Sequence, residues 1–225
     1  MIRTLDQMVE KVQSLNRKHR IAVAWALDAN TVIAVHEAVI RGFAQGILIG
    51  DAEGIKSICR KAGIDHRLFI LTDAGNEAAA AIEAVRMTRS GEADIVMKGL
   101  VGTDIFLREV MDKNRGLMLP GSLMSYVCAL QLPSYHKLLF ITDPAVIPEP
   151  SLEQKISMTE YAVGMAMRFG IKKPKIALIS ASEKPSRHFR SSPDYEEMCR
   201  LARSGAIADC IMDGPLDIFL ACDRK

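Results

Sequence analysis

Apolar and polar positions along this chain alternate between two periods. Leu5, Met8, Val9, Val12 and Leu15 recur at helical spacing behind Thr4 and Gln7, a pair with the form of a capping box. Ile21 to Ala26 is then an apolar run of strand length. A helix follows with Asn30 as cap and Val32, Ile33, Val35, His36, Val39 and Ile40 along it, and Gly42 and Gly46 bracket its exit. The pair of elements then repeats. A strand at Ile47 to Ile49 leads to a helix from Gly50-Asp51 to Lys61, closed by Gly63. A strand at Leu68 to Leu71 leads through Thr72-Asp73 to an alanine-rich helix ending near Gly91. A strand at Asp94 to Met97 leads to a helix carrying Phe106, Leu107, Val110 and Met111, with Thr103 as its cap and Asp104 in its first turn. Strands that each lead into a helix predict right-handed βαβ crossovers and a parallel sheet.

The rhythm breaks after Asn114. Arg115 to Gly121 reads as a loop, Ser122 to Leu132 as an apolar stretch and Lys137 to Thr142 as a strand. The next segment carries Pro144, Pro148 and Pro150, a density that predicts a rigid extended loop. Ser151 caps a long helix through Phe169, with Gly170 at its end. A strand at Lys175 to Ser180, a polar stretch from Ala181 to Pro193, a helix from Asp194 to Ser204 and a strand at Ala208 to Met212 complete the pattern. Asp213-Gly214-Pro215 is read as opening a final helix that still runs at Lys225. The expected organisation is two-domain α/β. A first domain with the parallel sheet covers residues 1–117, and a second α/β domain covers 118–225.

Composition narrows the classes. Hydrophobic residues make up 49% of the 225, enough for a sizeable core. The 29 basic and 27 acidic residues leave a net charge of +2, which argues against a general nucleic-acid footprint. No apolar run approaches a membrane span, and Met1 to Arg20 is a charged amphipathic helix rather than a signal peptide. A cytoplasmic protein is expected. Cys59, Cys128, Cys199, Cys210 and Cys222 form no CxxC pair and read as reduced thiols. Walker-type and dinucleotide glycine motifs, a GxSxG elbow and histidines at metal-ligand spacing are all absent, which sets those classes aside. His36 reads as a partly buried helix residue and His188 as part of a polar loop. Met87, Met97, Met111, Met118 and Met124 read as core fillers.

The chemistry concentrates at strand ends. Lys98, Gly99 and Gly102 lie between a strand and a helix start, where glycines permit close backbone approach and the helix dipole and unpaired N–H groups favour an anion. An ordinary βα turn with a solvated lysine is the alternative. Thr103, Arg115, Ser122, Ser125, Asp143, Ser180, Ser182, Asp213 and Gly214 complete the candidate set, most of them in loops that follow strands. Hydroxyls, glycines and scattered cations suit phosphate and an acyl carrier. Asp143 has a second reading as the cap of the proline-rich loop.

Ala93 to Thr103 (ADIVMKGLVGT), Leu119 to Ser125 (LPGSLMS), Phe140 to Lys155 (FITDPAVIPEPSLEQK), Pro174 to Ser182 (PKIALISAS) and Asp213 to Leu216 (DGPL) resemble the phosphate acyltransferases. The likeness is nearest to the phosphate butyryltransferases, with the phosphate acetyltransferases next. The resemblance implies a two-domain α/β fold similar to that of isocitrate and isopropylmalate dehydrogenases, an active site in the cleft between the domains, and a homodimer or higher homo-oligomer. It implies the reaction acyl-CoA plus phosphate to acyl phosphate plus coenzyme A, with no covalent intermediate and no required metal. Phosphate and acyl-CoA are then the partners, and coenzyme A is a substrate. Lys98 and the helix start after Gly102 are the candidates to hold the phosphate, and backbone N–H groups or hydroxyls such as Ser122 and Ser125 are the candidates to stabilise the carbonyl oxygen. Family members continue past the DGPL stretch with residues used in coenzyme A binding and thiol deprotonation. The chain is therefore expected to be truncated at the C-terminus, with its base beyond Lys225 and little turnover of its own. Two rivals accompany this reading: a sensing module for coenzyme A or acyl phosphate on the same fold, and a hydroxy-acid dehydrogenase of that fold class.

Overall fold

The computed structural model describes residues 1–181 and 192–222. The chain divides into two compact units, Val9–Ser122 and a second made of Leu123–Lys225 with Met1–Met8. The division thus falls a few residues past Leu117, and the first eight residues go with the later segment.

Unit Val9–Ser122 is built on four parallel strands, β1 (His19–Ala24), β2 (Ala44–Gly50), β3 (Ile70–Asp73) and β4 (Ile95–Lys98), in the order β3-β2-β1-β4. Central strands of such a sheet are covered on both faces, which is why β2 reads as a continuous apolar run. Ile47, Leu48 and Ile49 are all buried. Successive residues point to opposite faces. Ala22, Ala24, Ile47 and Ile49 meet Ala80, Ala81 and Ala84 of α4 (Glu77–Arg89) on one face. Val23 and Leu48 meet Val32 and Val35 of α2 (Ala29–Ile40) and Ile55 and Cys59 of α3 (Ala52–Lys61) on the other. A short 3₁₀ turn, His66–Leu68, precedes β3, so the expected strand at Leu68 begins later. Helix α5 (Thr103–Val110) follows β4. The cap of α2 is Asp28, whose carboxylate accepts from Thr31 N, rather than Asn30. Strand β1 ends earlier than its apolar run, because the chain turns at Trp25 with φ 60°.

The chain moves outward from β1 to β2 to β3 and then returns to place β4 on the other side of β1. The order therefore reverses between β1 and β4. The crevice outside the carboxyl ends at such a switch point is where open α/β sheets hold ligands.

In the second unit, β5 (Val127–Leu130) and β6 (Leu139–Thr142) pair antiparallel with Val127 opposite Thr142. Helix α6 (Leu152–Arg168) starts at a full capping box between Ser151 and Gln154. Strands β7 (Lys175–Ile179) and β8 (Ile211–Leu216) pair parallel. Their core joins Leu178 and Met212 to Val163 of α6 and to Met198 and Cys199 of α7 (Ser192–Ser204). All five cysteines are free. Helix α1 (Leu5–Gln13) begins as the Thr4/Gln7 signal predicts: Gln7 N donates to Thr4 Oγ1 at 3.1 Å, while Gln7 Oε1 accepts from Arg3 N.

The end of the chain corrects one expectation. Asp213-Gly214-Pro215 does not open a helix; it lies inside β8, and the last described helix is α8 (Ile218–Cys222). Met212 and Pro215 are both buried. A proline is tolerated because, among the described residues, β8 pairs on one side only, with β7. At Gly214 a Cβ would stand 2.6 Å from Leu178 Cβ, so close strand packing, not helix initiation, is what this glycine serves.

Candidate functional site

The switch point at the carboxyl ends of β1 and β4 collects the first group of expected residues. Beyond β4 the backbone presses onto the end of β1: Gly99 N donates to Ala24 O and Leu100 N to Trp25 O, each at 2.9 Å. A Cβ on Gly99 would lie 2.5 Å from Trp25 O and 2.7 Å from Ala24 O, so only glycine fits. Val101, buried beside the α4 alanines, anchors the next turn. Gly102, not Thr103, is the N-cap of α5, and no side chain caps it. Thr103 is the first helical residue. The N–H of Gly102 itself is taken, donating to Glu77 Oε2 at 2.9 Å.

Lys98 is exposed, with Nζ 3.5 Å from Gly99 O and no ion pair among the described residues. Its neighbours at this rim are carboxylates serving as helix caps and braces. Asp28 caps α2 and Asp51 caps α3, Asp73 accepts from Ala52 N at 3.2 Å, and Glu77 holds Gly102. Between the ends of β1–β4 and the first residues of the following helices, Lys98 is the sole cation. A lysine with no carboxylate partner beside an uncapped helix start is suited to hold an anion.

Arg115 belongs elsewhere in this unit. It lies beyond the opposite end of α5, which at 1.5 Å per residue is about 12 Å long. Its guanidinium lies 3.0 Å from Oε2 of buried Glu109, off the line of a good hydrogen bond, and 3.6 Å from Asp112 Oδ2. Together with Arg86 and Arg89, Glu109 and Arg115 line a pocket of about 210 Å³ on the α4–α5 surface. The Ser122 hydroxyl donates to Leu119 O at 2.7 Å and closes a turn.

The second unit holds the remaining candidates in two places. At the open end of the β5–β6 pair, Asp143 Oδ1 accepts from Ala145 N and Val146 N, and Oδ2 from Tyr126 N and Ser125 Oγ. Burial pulls this carboxyl upward, but three backbone N–H groups and the serine hydroxyl outweigh it, and it titrates below its ordinary value. Asp143 therefore takes the role of loop cap. With the Ser122 and Ser125 protons both engaged, neither hydroxyl has a donor left for a carbonyl oxygen. Asp143→Asn replaces an acceptor with an N–H₂ group facing N–H donors, and should cost about 1–3 kcal/mol. Because the folded pKa is depressed, the carboxylate's contribution is complete above the unfolded value of about 4 and is lost as pH falls through the lower folded value. Urea melts at pH 7 and pH 3 should thus differ less for the variant than for the parent.

At the carboxyl end of β7, Ser180 N donates to Leu216 O at 2.9 Å. Asp213 is exposed on β8 opposite Ala177, its Oδ1 accepting from Gly214 N. Ser182 lies outside the described residues, as does His188. The sequence reading missed a cluster near this end. Lys155 Nζ is ion-paired to Asp194 and lies 5.7 Å from the ring centroid of Tyr195, whose hydroxyl donates to Ile179 O. Lys155 is the last residue of FITDPAVIPEPSLEQK, but its partners Asp194 and Tyr195 lie far along the chain, outside any local window. Glu77 was missed for the same reason, its contact to Gly102 being long-range. Among the described residues no group of three or more His, Cys, Asp or Glu could hold a metal ion, and no helix is long and apolar enough to cross a membrane.

A lysine at a switch point, without an ion pair among the described residues and beside a helix start that no side chain caps, is an arrangement that suits an anion. The model of the phosphate acetyl/butaryl transferase family matches residues 74–225, and the chain belongs to that family of acyltransferases. It is 38% identical over 225 residues to a phosphate butyryltransferase of Clostridium acetobutylicum, covering 100% of this chain and 74% of that protein. It is 34% identical, with the same coverage, to a phosphate butyryltransferase of Clostridium beijerinckii. Among solved structures it is similar to a branched-chain phosphotransacylase from Enterococcus faecalis V583, with a TM-score of 0.77 and 26% identity over 90% of this chain and 70% of that one.

Proposed function

We propose that the protein moves a short acyl group, butyryl or one of similar size, between coenzyme A and inorganic phosphate. The observation that carries this reading is the switch point at the carboxyl ends of β1 and β4, where Lys98 has no carboxylate partner among the described residues and lies beside the uncapped start of α5. Family membership supplies the reaction class. A phosphate oxygen attacks the thioester carbon, the C–S bond breaks, and coenzyme A leaves as a thiolate that takes up a proton. Phosphate and coenzyme A are both anions, so a cation must offset their repulsion and hold the nucleophile in line. Lys98 has that role, and the amides of Thr103, Asp104 and Ile105 lie at the positive end of α5. The names of the two clostridial relatives and of the Enterococcus structure support butyryl or branched chains over acetyl.

Phosphate-dependent thiol release from butyryl-CoA and acetyl-CoA tests the reading. The expected result is release that saturates with phosphate and a higher kcat/KM for butyryl-CoA. Release that ignores phosphate would overturn the reaction, and preference for acetyl-CoA would overturn the chain length. We further read the protein as a cytoplasmic homo-oligomer on a fold of the isocitrate dehydrogenase kind, with no tightly bound cofactor. Sedimentation at low concentration separates an oligomer from a 24.8 kDa monomer.

A further inference from the structure

We propose that Glu77 sets how tightly the crevice holds its anionic substrate, through a carboxylate that braces the loop and repels the ligand at once. This rests on the reading of the crevice as the phosphate site. Glu77 is the first residue of α4, so its carboxylate sits at the positive end of that helix, where a negative charge is favoured. From there it reaches across to accept the Gly102 N–H at 2.9 Å, joining the start of α4 to the cap of α5. Asn76 already caps α4 by accepting from Ala79 N, so Glu77 is free for this second task.

The bridge does two separable things. As a hydrogen-bond acceptor it fixes Gly102, and with it the turn that runs from Lys98 over the end of β1. As a charge it places a carboxylate on Gly102 N, the residue just before the Thr103, Asp104 and Ile105 amides, in the turn that an incoming phosphate must approach. The Asp104 side chain adds a second carboxylate to the same turn, its Oδ1 lying 2.9 Å from where a Cβ on Gly102 would stand. Lys98 is the group that counters them. A glutamine at position 77 keeps a carbonyl oxygen for Gly102 N–H and removes the charge; an alanine removes both.

Glu77→Gln, Glu77→Ala and Lys98→Ala are compared, with inorganic phosphate as the probe. The readouts are the phosphate KM in thiol release and the midpoint of the phosphate-induced change in fluorescence of Trp25, the sole tryptophan, which adjoins Gly99. The fluorescence readout requires no turnover. Glu77→Gln should lower the phosphate midpoint roughly three- to tenfold, as removal of one charge a few ångströms beyond contact predicts, with the unfolding temperature unchanged. That gain should shrink in high salt, which a purely structural effect would not. Glu77→Ala should lower the unfolding temperature and kcat, because Gly102 loses its acceptor. An unchanged midpoint in Glu77→Gln, with a raised one in Lys98→Ala, would show that the crevice binds phosphate and that Glu77 does not tune it. A Glu77→Gln protein as unstable as Glu77→Ala would equally refute the separation of brace from charge. If none of the three variants moves the midpoint, the crevice is not the phosphate site, and the functional reading fails together with this one.

Discussion

Lys98→Ala is expected to lower kcat/KM for phosphate by roughly 10²–10³, the typical effect of removing one well-placed electrostatic donor. The unfolding temperature should barely move, because surface substitutions without a packing or pairing role usually lie within about 0.5 kcal/mol. The contrast follows from where this lysine stands. Its ammonium is exposed and has no carboxylate to hold among the described residues, so folding gains little from it. The rim around it is otherwise acidic, so a phosphate arriving there meets one favourable full charge. Lys98→Arg should recover part of the loss, since the charge returns but a planar fork replaces a point charge. The result that would sink the idea is an Ala variant whose phosphate KM matches the parent, or one that loses activity only in step with its stability.

Much of this site was legible because its signals are local. A buried run ending in Lys98-Gly99, followed by Gly102 and a helical period, needs only a short window to read. The same holds for Thr4/Gln7 and for Ser151, whose caps appear where expected. What could not be read is which strand lies beside which. Alternating strands and helices announce a parallel sheet, but not that β4 pairs with β1, and that pairing is what creates the switch point. Long-range partners were equally hidden. Glu77 on Gly102 and Asp194 on Lys155 come from folding the chain, not from spacing. The misread of Asp213-Gly214-Pro215 has the same origin. Locally the three residues resemble a helix opening, yet the pairing of Lys175 with Ile211 draws the segment into β8. Asp143 shows the intermediate case: its bonds to Ala145 and Val146 are a short turn that the sequence suggests, while those to Ser125 and Tyr126 are not.

Gly99→Ala should be more damaging than any change to a charged side chain of the crevice, because it acts on backbone. The added methyl would stand 2.5 Å from Trp25 O, 2.7 Å from Ala24 O and 3.0 Å from Trp25 C. None of these is the tip of a flexible side chain that can swing away. The two carbonyls are the acceptors for Gly99 N and Leu100 N, so relieving the clash stretches the bonds that hold the loop to β1. Trp25 already sits at φ 60°, a left-handed backbone unusual for a bulky residue, and has little freedom to yield. Overpacking alone costs about 1–3 kcal/mol, and each weakened buried bond adds about 1 kcal/mol. A protein of this length should therefore lose about 6–20 °C in unfolding temperature. Phosphate binding should fail even where the variant still folds, since a shift of about 1 Å in a positioning loop can cost a hundredfold in rate. Gly75→Ala is the matched control. It lies in the loop before α4, a Cβ there meets nothing within 4 Å, and neither stability nor phosphate KM should suffer. Should Gly99→Ala melt with the parent and bind phosphate as tightly, the close approach of β4 to the end of β1 would not be what shapes this site.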